Sequence, residues 1–412
     1  MKRNLKNDYC TRIKQVIQQT CKPNIIVVIL ILISVFTKNG LGQEKEPEPD
    51  FGFWIVGNSV TPRFGEHWYK ILDELEQKKD GFNCLLQAIA TSPKTKKDIL
   101  AHCRLSSLWL NQAIDSLTVH NCFGKTDDLE FYSKIPIMTH NEMKLVQESL
   151  RPIALSVAER IKADIPKIKQ EYNELKLDSD PKWEDIAHLV IDKFLIDGKF
   201  HRGLAILQRE KGFKKYYSEE QKKITAFFME KGSQFGTFGV NWYRIKGQNI
   251  TRDVYFFHGG PVKRYTFPLN KLARKKYFIE IFNRIKIDGS LDELSKYEIQ
   301  VFKDLGWVVN DKLAVPLVNA KSLKVLYDNA LEKTGNDAAE IVFENFSVIM
   351  DSYRQSPYSE FSDGAGDYMQ VCYHLLFTSI INELIGMEAL PPIPESTPEY
   401  FGVFITIGSL FD

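Results

Sequence analysis

Eight histidines, at positions 67, 102, 120, 140, 188, 201, 258 and 374, and six cysteines are the residues here best suited to chemistry. No two histidines stand four apart on one predicted helix, and no CxxC, CxxH or HExxH occurs, so no spacing builds a metal site. His374 lies among Val371, Leu375 and Leu376, the setting of a half-buried structural histidine rather than a base. No carboxylate pair stands out on an apolar face. Ser362-Asp363-Gly364-Ala365-Gly366-Asp367 lacks the spacing and terminal glutamate of a calcium loop and reads as a loop plus an N-cap. Neither a catalytic site, a cofactor nor a metal is expected.

His258-Gly259-Gly260-Pro261 resembles the oxyanion-hole loop of α/β-hydrolases. That fold also needs a Gly-x-Ser-x-Gly turn, and Gly232-Ser233-Gln234-Phe235-Gly236 carries its serine one position off. A tight turn between strands is the better account. The strongest basic run is Lys263, Arg264, Lys271, Arg274, Lys275, Lys276, Arg284 and Lys286 against Glu280, with Tyr265, Phe267 and Tyr277 interleaved. Such a run suits an anionic surface, but a solvated face of a strand and a helix is the simpler reading. Asn249-Ile250-Thr251 and Asn345-Phe346-Ser347 match glycosylation sequons, the second inside a predicted helix and so read as accidental.

The N-terminus looks like a targeting segment. Lys2, Arg3, Lys6, Arg12, Lys14 and Lys22 precede the apolar stretch Ile25 to Phe36, and small residues Gly40 and Gly42 come after it. A basic lead, a short apolar core and alternate small residues are the parts of a cleaved secretory signal peptide, residues 1–42. An uncleaved anchor is the alternative, although twelve helical residues rise only ~18 Å against a hydrocarbon core of about 30 Å. A buried helix is a third reading. Either membrane reading puts the rest of the chain across the membrane, secreted or periplasmic. Beyond residue 42 remain 47 of the 54 basic and 52 of the 53 acidic residues, a net charge of −5. That balance argues against a dedicated nucleic-acid binder. Cys84, Cys103, Cys122 and Cys372 also remain, too few for a disulfide scaffold. One bridge among the first three and free buried thiols both fit.

After a charged linker at 43–50, periodicity predicts a strand at Phe51–Val60 and a short helix at Tyr69–Gln77. Helices are predicted next at Phe82–Ala90, Lys96–Cys103 and Ser107–Val119, then a hairpin of Cys122–Gly124 and Leu129–Ile137. This order, over about 58 residues, resembles the winged helix-turn-helix superfamily in the layout of ArsR-like or MarR-like regulators. The resemblance implies a third helix able to enter a groove, with Lys94, Lys96, Lys97, Arg104, Asn111 and Gln112 as the candidate contact residues. Yet that helix has no Lys or Arg, the hairpin tip is Asp127-Asp128, and segment 82–140 nets only +1. Counterion release from such a surface is weak, so a protein-contact role is expected over DNA binding.

Helices are predicted at Asn141–Ile165, Lys167–Leu175 and Trp183–Phe200, and a hairpin at Phe238–Ile245 and Arg252–Phe257 with a third strand at Val262–Phe267. Helices Lys276–Ile287 and Leu291–Leu305 then lead to a hairpin at Trp307–Val309 and Lys312–Leu317. Helices Lys321–Asn336, Ala338–Tyr353 and Asp367–Leu384 and a strand at Tyr400–Ile407 complete the chain. Segments 113–150 and 298–331 both run helix, Gly-associated hairpin, Ile-Pro-Ile or Val-Pro-Leu, polar cap, helix. The expectation is a helix-rich α+β protein of two winged-helix-like units with helical extensions, at 51–200 and 271–412. A small antiparallel β region, 201–270, separates them. The expected partner is a protein, with homodimerisation through helices 141–165 and 321–353 as one option and membrane contact only through the N-terminal segment.

Overall fold

A computed structural model of the chain describes residues 51–56, 79–90, 92–119, 122–210, 225–230, 239–246, 251–258, 271–286, 289–360, 364–393 and 402–408. The expected helix Tyr69–Gln77, the strand Val262–Phe267 and the N-terminal leader lie outside them. The architecture is helix-rich α+β. Among the described residues no helix is long and apolar enough to cross a membrane.

Strand β1 (Phe51–Val56) precedes a first helix-and-hairpin unit. Its elements are α1 (Lys79–Ile89), β2 (Lys94–Thr95), α2 (Lys96–Cys103), α3 (Ser107–Val119), β3 (Phe123–Lys125) and β4 (Glu130–Ser133). The three strands form a sheet ordered β2-β4-β3. Thr95 caps α2 by accepting from the Asp98 N–H. The core of this unit is separate, built of Phe82, Leu85, Leu86, Ile99, Leu110, Ile114, Leu117 and Phe123. The returning strand expected at Leu129–Ile137 is divided. Ser133 Oγ accepts from the Ile135 N–H (3.3 Å), and Pro136 has no N–H to give a ladder. Past Pro136 the chain enters a separate strand, β5 (Ile137–Met138), paired elsewhere.

Helix α4 (His140–Leu175) is continuous through Pro152 and Pro166. A proline inside a helix costs about 3 kcal/mol. Eleven buried residues at helical spacing, Met143 to Tyr172, offset that cost, and a Thr139–Glu142 capping box fixes the start. Helix α5 (Trp183–His188) runs without a break into a π-helix (Leu189–Phe200) and then α6 (His201–Glu210). The widened ladder shows in the His201 N–H, which reaches the carbonyl of Ile196 five residues back.

Strands β6 (Thr225–Glu230), β7 (Gly239–Lys246) and β8 (Thr251–His258) lead to the second unit. It comprises α7 (Lys271–Arg284), α8 (Lys296–Asp304), β9 (Val308–Val309) and β10 (Lys312–Leu313). The helix expected from Leu291 begins only at Lys296. Leu291–Leu294 is a turn, and Ser295 and Glu298 form a capping box that Arg284 holds from α7. After β11 (Leu317–Asn319) come α9 (Ala320–Asp328), α10 (Ala330–Glu344), α11 (Phe346–Arg354) and α12 (Gly364–Gly386), then β12 (Gly402–Ile407). The two long helices expected here are three. The chain breaks at Asn329 (φ −107°, ψ −84°) and at Asn345, whose side chain donates to the Ile341 carbonyl (2.9 Å).

The strands of 201–270 form no unit of their own. β6 pairs antiparallel with β1 and parallel with β5, while β8 lies between β7 and β12, and β12 runs parallel to β11. The two larger sheets therefore repeat one pattern. Each has a strand before a helix-and-hairpin unit (β1, β8), one just after the hairpin (β5, β11) and one after the helices (β6, β12). The last sits in the middle, antiparallel to the first and parallel to the second. In the β8 sheet, alternate residues face opposite sides. Val254, Phe256, Val403 and Ile405 pack on Phe278, Phe282 and Trp307, and Tyr255, Phe257 and Phe404 join the helical core.

In that core the halves interleave. α12 lies along α4, the π-helix and α6 lie along α10, and α4 packs on α10. The apolar faces of 141–165 and 321–353 are thus buried against partners in the same chain. Gly335 lets α10 approach the main chain of the π-helix closely. A Cβ there would stand 2.5 Å from Lys199 Cβ and 2.8 Å from the Phe200 nitrogen.

Candidate functional site

Lys94 is in β2, Lys96 and Lys97 open α2, and Arg104 comes just after it in the left-handed region (φ 52°), its N–H donating to Leu100 O. Asn111 and Gln112 are exposed on α3. Arg274 and Lys275 belong to α7 of the second unit, and Lys263 and Arg264 lie outside the described residues. The proposed contact residues therefore divide between two units.

The outer face of α3 carries Ser107, Leu108, Asn111, Gln112, Asp115 and Thr118, with Leu108 69% exposed. Its hairpin turns through Asp127 and Asp128, and Leu129 stands 61% exposed with φ 62°. A leucine in that region is strained by about 1 kcal/mol. The second unit presents Lys296, Tyr297 (63% exposed), Gln300, Lys303 and Asp304 on α8, and Val309 (53%), Asn310, Asp311 and Lys312 on its hairpin. Leu108 and Tyr297 occupy the same place, the second residue of the helix before the hairpin. Cys84 and Cys103 are bridged, with Cα atoms 5.5 Å apart, tying α1 to α2. Cys122 and Cys372 are free and buried; burial pushes the Cys122 thiol up to about 12.

A polar cluster that residue spacing alone did not single out lies where the π-helix and α6 meet α12. Asp197, 28% exposed, accepts from Lys193 Nζ and from Tyr373 Oη (2.9 Å). Burial works to raise its carboxyl, and Lys193, His201 and Tyr373 outweigh it, leaving the pKa below the usual carboxylate range. The His201 ring stacks on Tyr373 at 4.1 Å. Burial pulls that imidazole down to about 4, against the pull of Asp197 and with help from His374 and Lys193. His374 Nδ1 must donate to the Gln370 carbonyl (2.8 Å), as expected of a satisfied histidine, and burial lowers its pKa too. Each half thus contributes an aromatic–histidine pair, Phe200-His201 and Tyr373-His374, with the Phe200 and Tyr373 rings 6.4 Å apart.

At the end of α5, His188 Nδ1 meets Asp192 Oδ2 (2.8 Å) and His188 Nε2 donates to the Pro391 carbonyl (3.0 Å). Burial works to lower the imidazole, and Asp192 and Pro391 O outweigh it. Burial raises Asp192 against the pull of His188. The pair holds one proton between Nδ1 and Oδ2, and Nε2 is committed to the backbone, so this dyad is a tether between α5 and the segment after α12. Asp253 is fully buried on β8 and takes both Nε (3.0 Å) and Nη2 (3.3 Å) of Arg244. Among the described residues no three metal-ligating side chains come together to hold an ion.

No protein-family model matches the chain, and neither a curated protein nor a solved structure matches it.

Proposed function

We propose that this is an exported, non-enzymatic protein that works by protein contact through two winged helix-turn-helix units, one in each half of a duplicated chain. Support for the winged-helix reading is the order α1-β2-α2-α3-β3-β4 with its sheet β2-β4-β3. Support for duplication is the repeated sheet pattern and the reciprocal packing of each half's late helix on the other half's long one.

The observation that carries the contact role is the face of α3. Where a DNA-binding member of that superfamily needs cations, it offers Leu108, Asn111, Gln112 and Asp115, and the hairpin offers Asp127 and Asp128. The Cys84–Cys103 bridge favours an oxidising compartment and so the exported reading. Asp253 is held by Arg244, and His188 by Asp192 and Pro391, so these two groups are taken up by structural partners.

The test places a photo-cross-linking residue at Leu108 and at Tyr297 in the producing cell and, separately, titrates the purified chain with duplex DNA at about 150 mM salt. Protein adducts at both positions without DNA binding are expected. A salt-dependent DNA complex, or an intact Met1 chain in a reducing cytosol, would overturn the reading.

A further inference from the structure

α12 lies along α4, α4 packs on α10, and α10 carries the π-helix and α6; the contact of α12 with the π-helix closes this ring of helices. Polar joints fasten that closing seam at both ends. At one end Tyr373 Oη donates to Asp197 (2.9 Å), and the Tyr373 ring stacks on His201 (4.1 Å) and stands edge-on to His374 (5.1 Å). At the other, past the end of α12, the Pro391 carbonyl accepts from His188, whose second nitrogen meets Asp192 (2.8 Å). Lys162 of α4 supports this end, donating to the Met387 carbonyl (3.2 Å).

A proton acts oppositely at the two ends. Around Tyr373, Lys193, His201 and His374 share one carboxylate, Asp197, which Lys193 already neutralises. The other acids brought near the π-helix are taken, Glu332 of α10 by Lys199 and Asp328 of α9 by Lys324 (2.9 Å). Arg202, beside His201 on α6, is exposed. A charged His201 or His374 would therefore stand beside cations in a desolvated site. Asp197 is 28% exposed, so the site lies within reach of solvent protons. Around His188 a proton meets a carboxylate of its own, and both ring nitrogens then donate, to Asp192 and to Pro391. The charges that α4 and α5 bring there, Lys169 and Glu184, are paired with each other (2.6 Å).

We propose that this seam is a one-ended acid latch: in acid it opens around Tyr373 and stays closed around His188. Opening returns His201 toward its ordinary 6.5 from about 4, so the open form gains as pH falls between those values, with His374 acting in the same sense. The raised pKa of His188 keeps its end fastened over the same range. The open form bares the Phe200 and Tyr373 rings while the packing of α12 on α4 and of α6 on α10 persists.

Hydroxyl-radical footprinting of the full chain between pH 7 and 4.5, read residue by residue and referred to the unfolded chain at each pH, tests it. Oxidation of Tyr373 and Phe200 should rise about tenfold, the scale for one proton taken up on opening. Trp183 and Tyr172, on α5 and α4 toward the His188 end, should stay protected, as should Trp307 in the second unit's core. His201→Gln should remove most of the rise. Should that variant not fold, His374→Gln carries the same test and should lessen the rise. Tyr373 and Phe200 equally protected at both pH values would overturn the proposal. So would Trp183 and Trp307 losing protection together with them, which is global unfolding, or a full rise in the histidine variant that folds.

Discussion

Arg160 on α4 donates to Asp337 on α10 through both Nε (3.2 Å) and Nη2 (2.6 Å), and to Asp164 on its own helix (3.0 Å). Thr334 Oγ1 donates to the other Asp164 oxygen (2.7 Å). This network joins the long helices of the two halves at a partly exposed site. Arg160→Met should destabilise the chain by about 1 kcal/mol, since Asp337 keeps Lys333 (2.6 Å) and Asp164 keeps Thr334 while each loses a charged partner that solvent partly screens. Urea denaturation of R160M, D337N and the double variant would reveal the coupling; strictly additive losses would refute it.

Gly335→Ala should be far more costly than its one methyl suggests. The new Cβ meets Lys199 and Phe200 main chain at the crossing of α10 and the π-helix. Backbone cannot step aside as a flexible side chain can, so a loss of about 2–3 kcal/mol is expected. Gly386→Ala, where nothing lies within 4 Å, is the control and should leave the thermal midpoint unchanged or raised.

Reduction of the Cys84–Cys103 bridge should weaken the first unit by about 3 kcal/mol, the scale for a loop of this length. The unit has its own core, so local unfolding is the expected consequence. Hydrogen exchange should accelerate in α1–α3 on reduction while α4 and α12 stay protected. Cys122 and Cys372 should resist alkylation in the folded chain, burial holding both thiols protonated.

Acid sensitivity should centre on His201. Its folded pKa, about 4, lies below its ordinary 6.5, so the unfolded chain takes the proton first. Stability is then lost as pH falls from about 6.5 to about 4, and His374 acts in the same sense. His188 acts oppositely, its raised pKa giving stability that is lost as pH rises through it. His201→Gln should flatten the acid limb by about one bound proton in urea midpoints between pH 7.5 and 4.5. An unchanged limb would sink the assignment.

Much of the fold is readable residue by residue. The stripe of Phe82, Leu85, Leu86 and Ile89 and the hairpin of β7 and β8 stand where periodicity puts them. Two failures had a local signal, Pro136 dividing the strand and the Ser295–Glu298 capping box delaying the helix to Lys296, and in the others distant partners override local pattern. Asn329 and Asn345 look like ordinary helical residues, and the chain bends there to wrap α9–α11 around α4. Leu189–Phe200 has helical periodicity, and nothing local widens its ladder. The tether and the cluster left a trace, since His188 and Asp192, and Asp197 and His201, each stand four apart. A search for paired histidines passes over an Asp–His spacing. Tyr373 and Pro391, which complete these groups, are 176 and 203 residues away along the chain from Asp197 and His188.

The interleaving of the halves also orders events at the ribosome. α4 ends at Leu175, but α12, which covers it, is not complete until Gly386. At roughly 5–20 residues per second, the growing chain carries an apolar 36-residue helix face for about 10–40 s before its cover exists. The core shared by the two halves can therefore close only when nearly all of the chain has been made, whereas the first helix-and-hairpin unit, with a core of its own, can close much earlier.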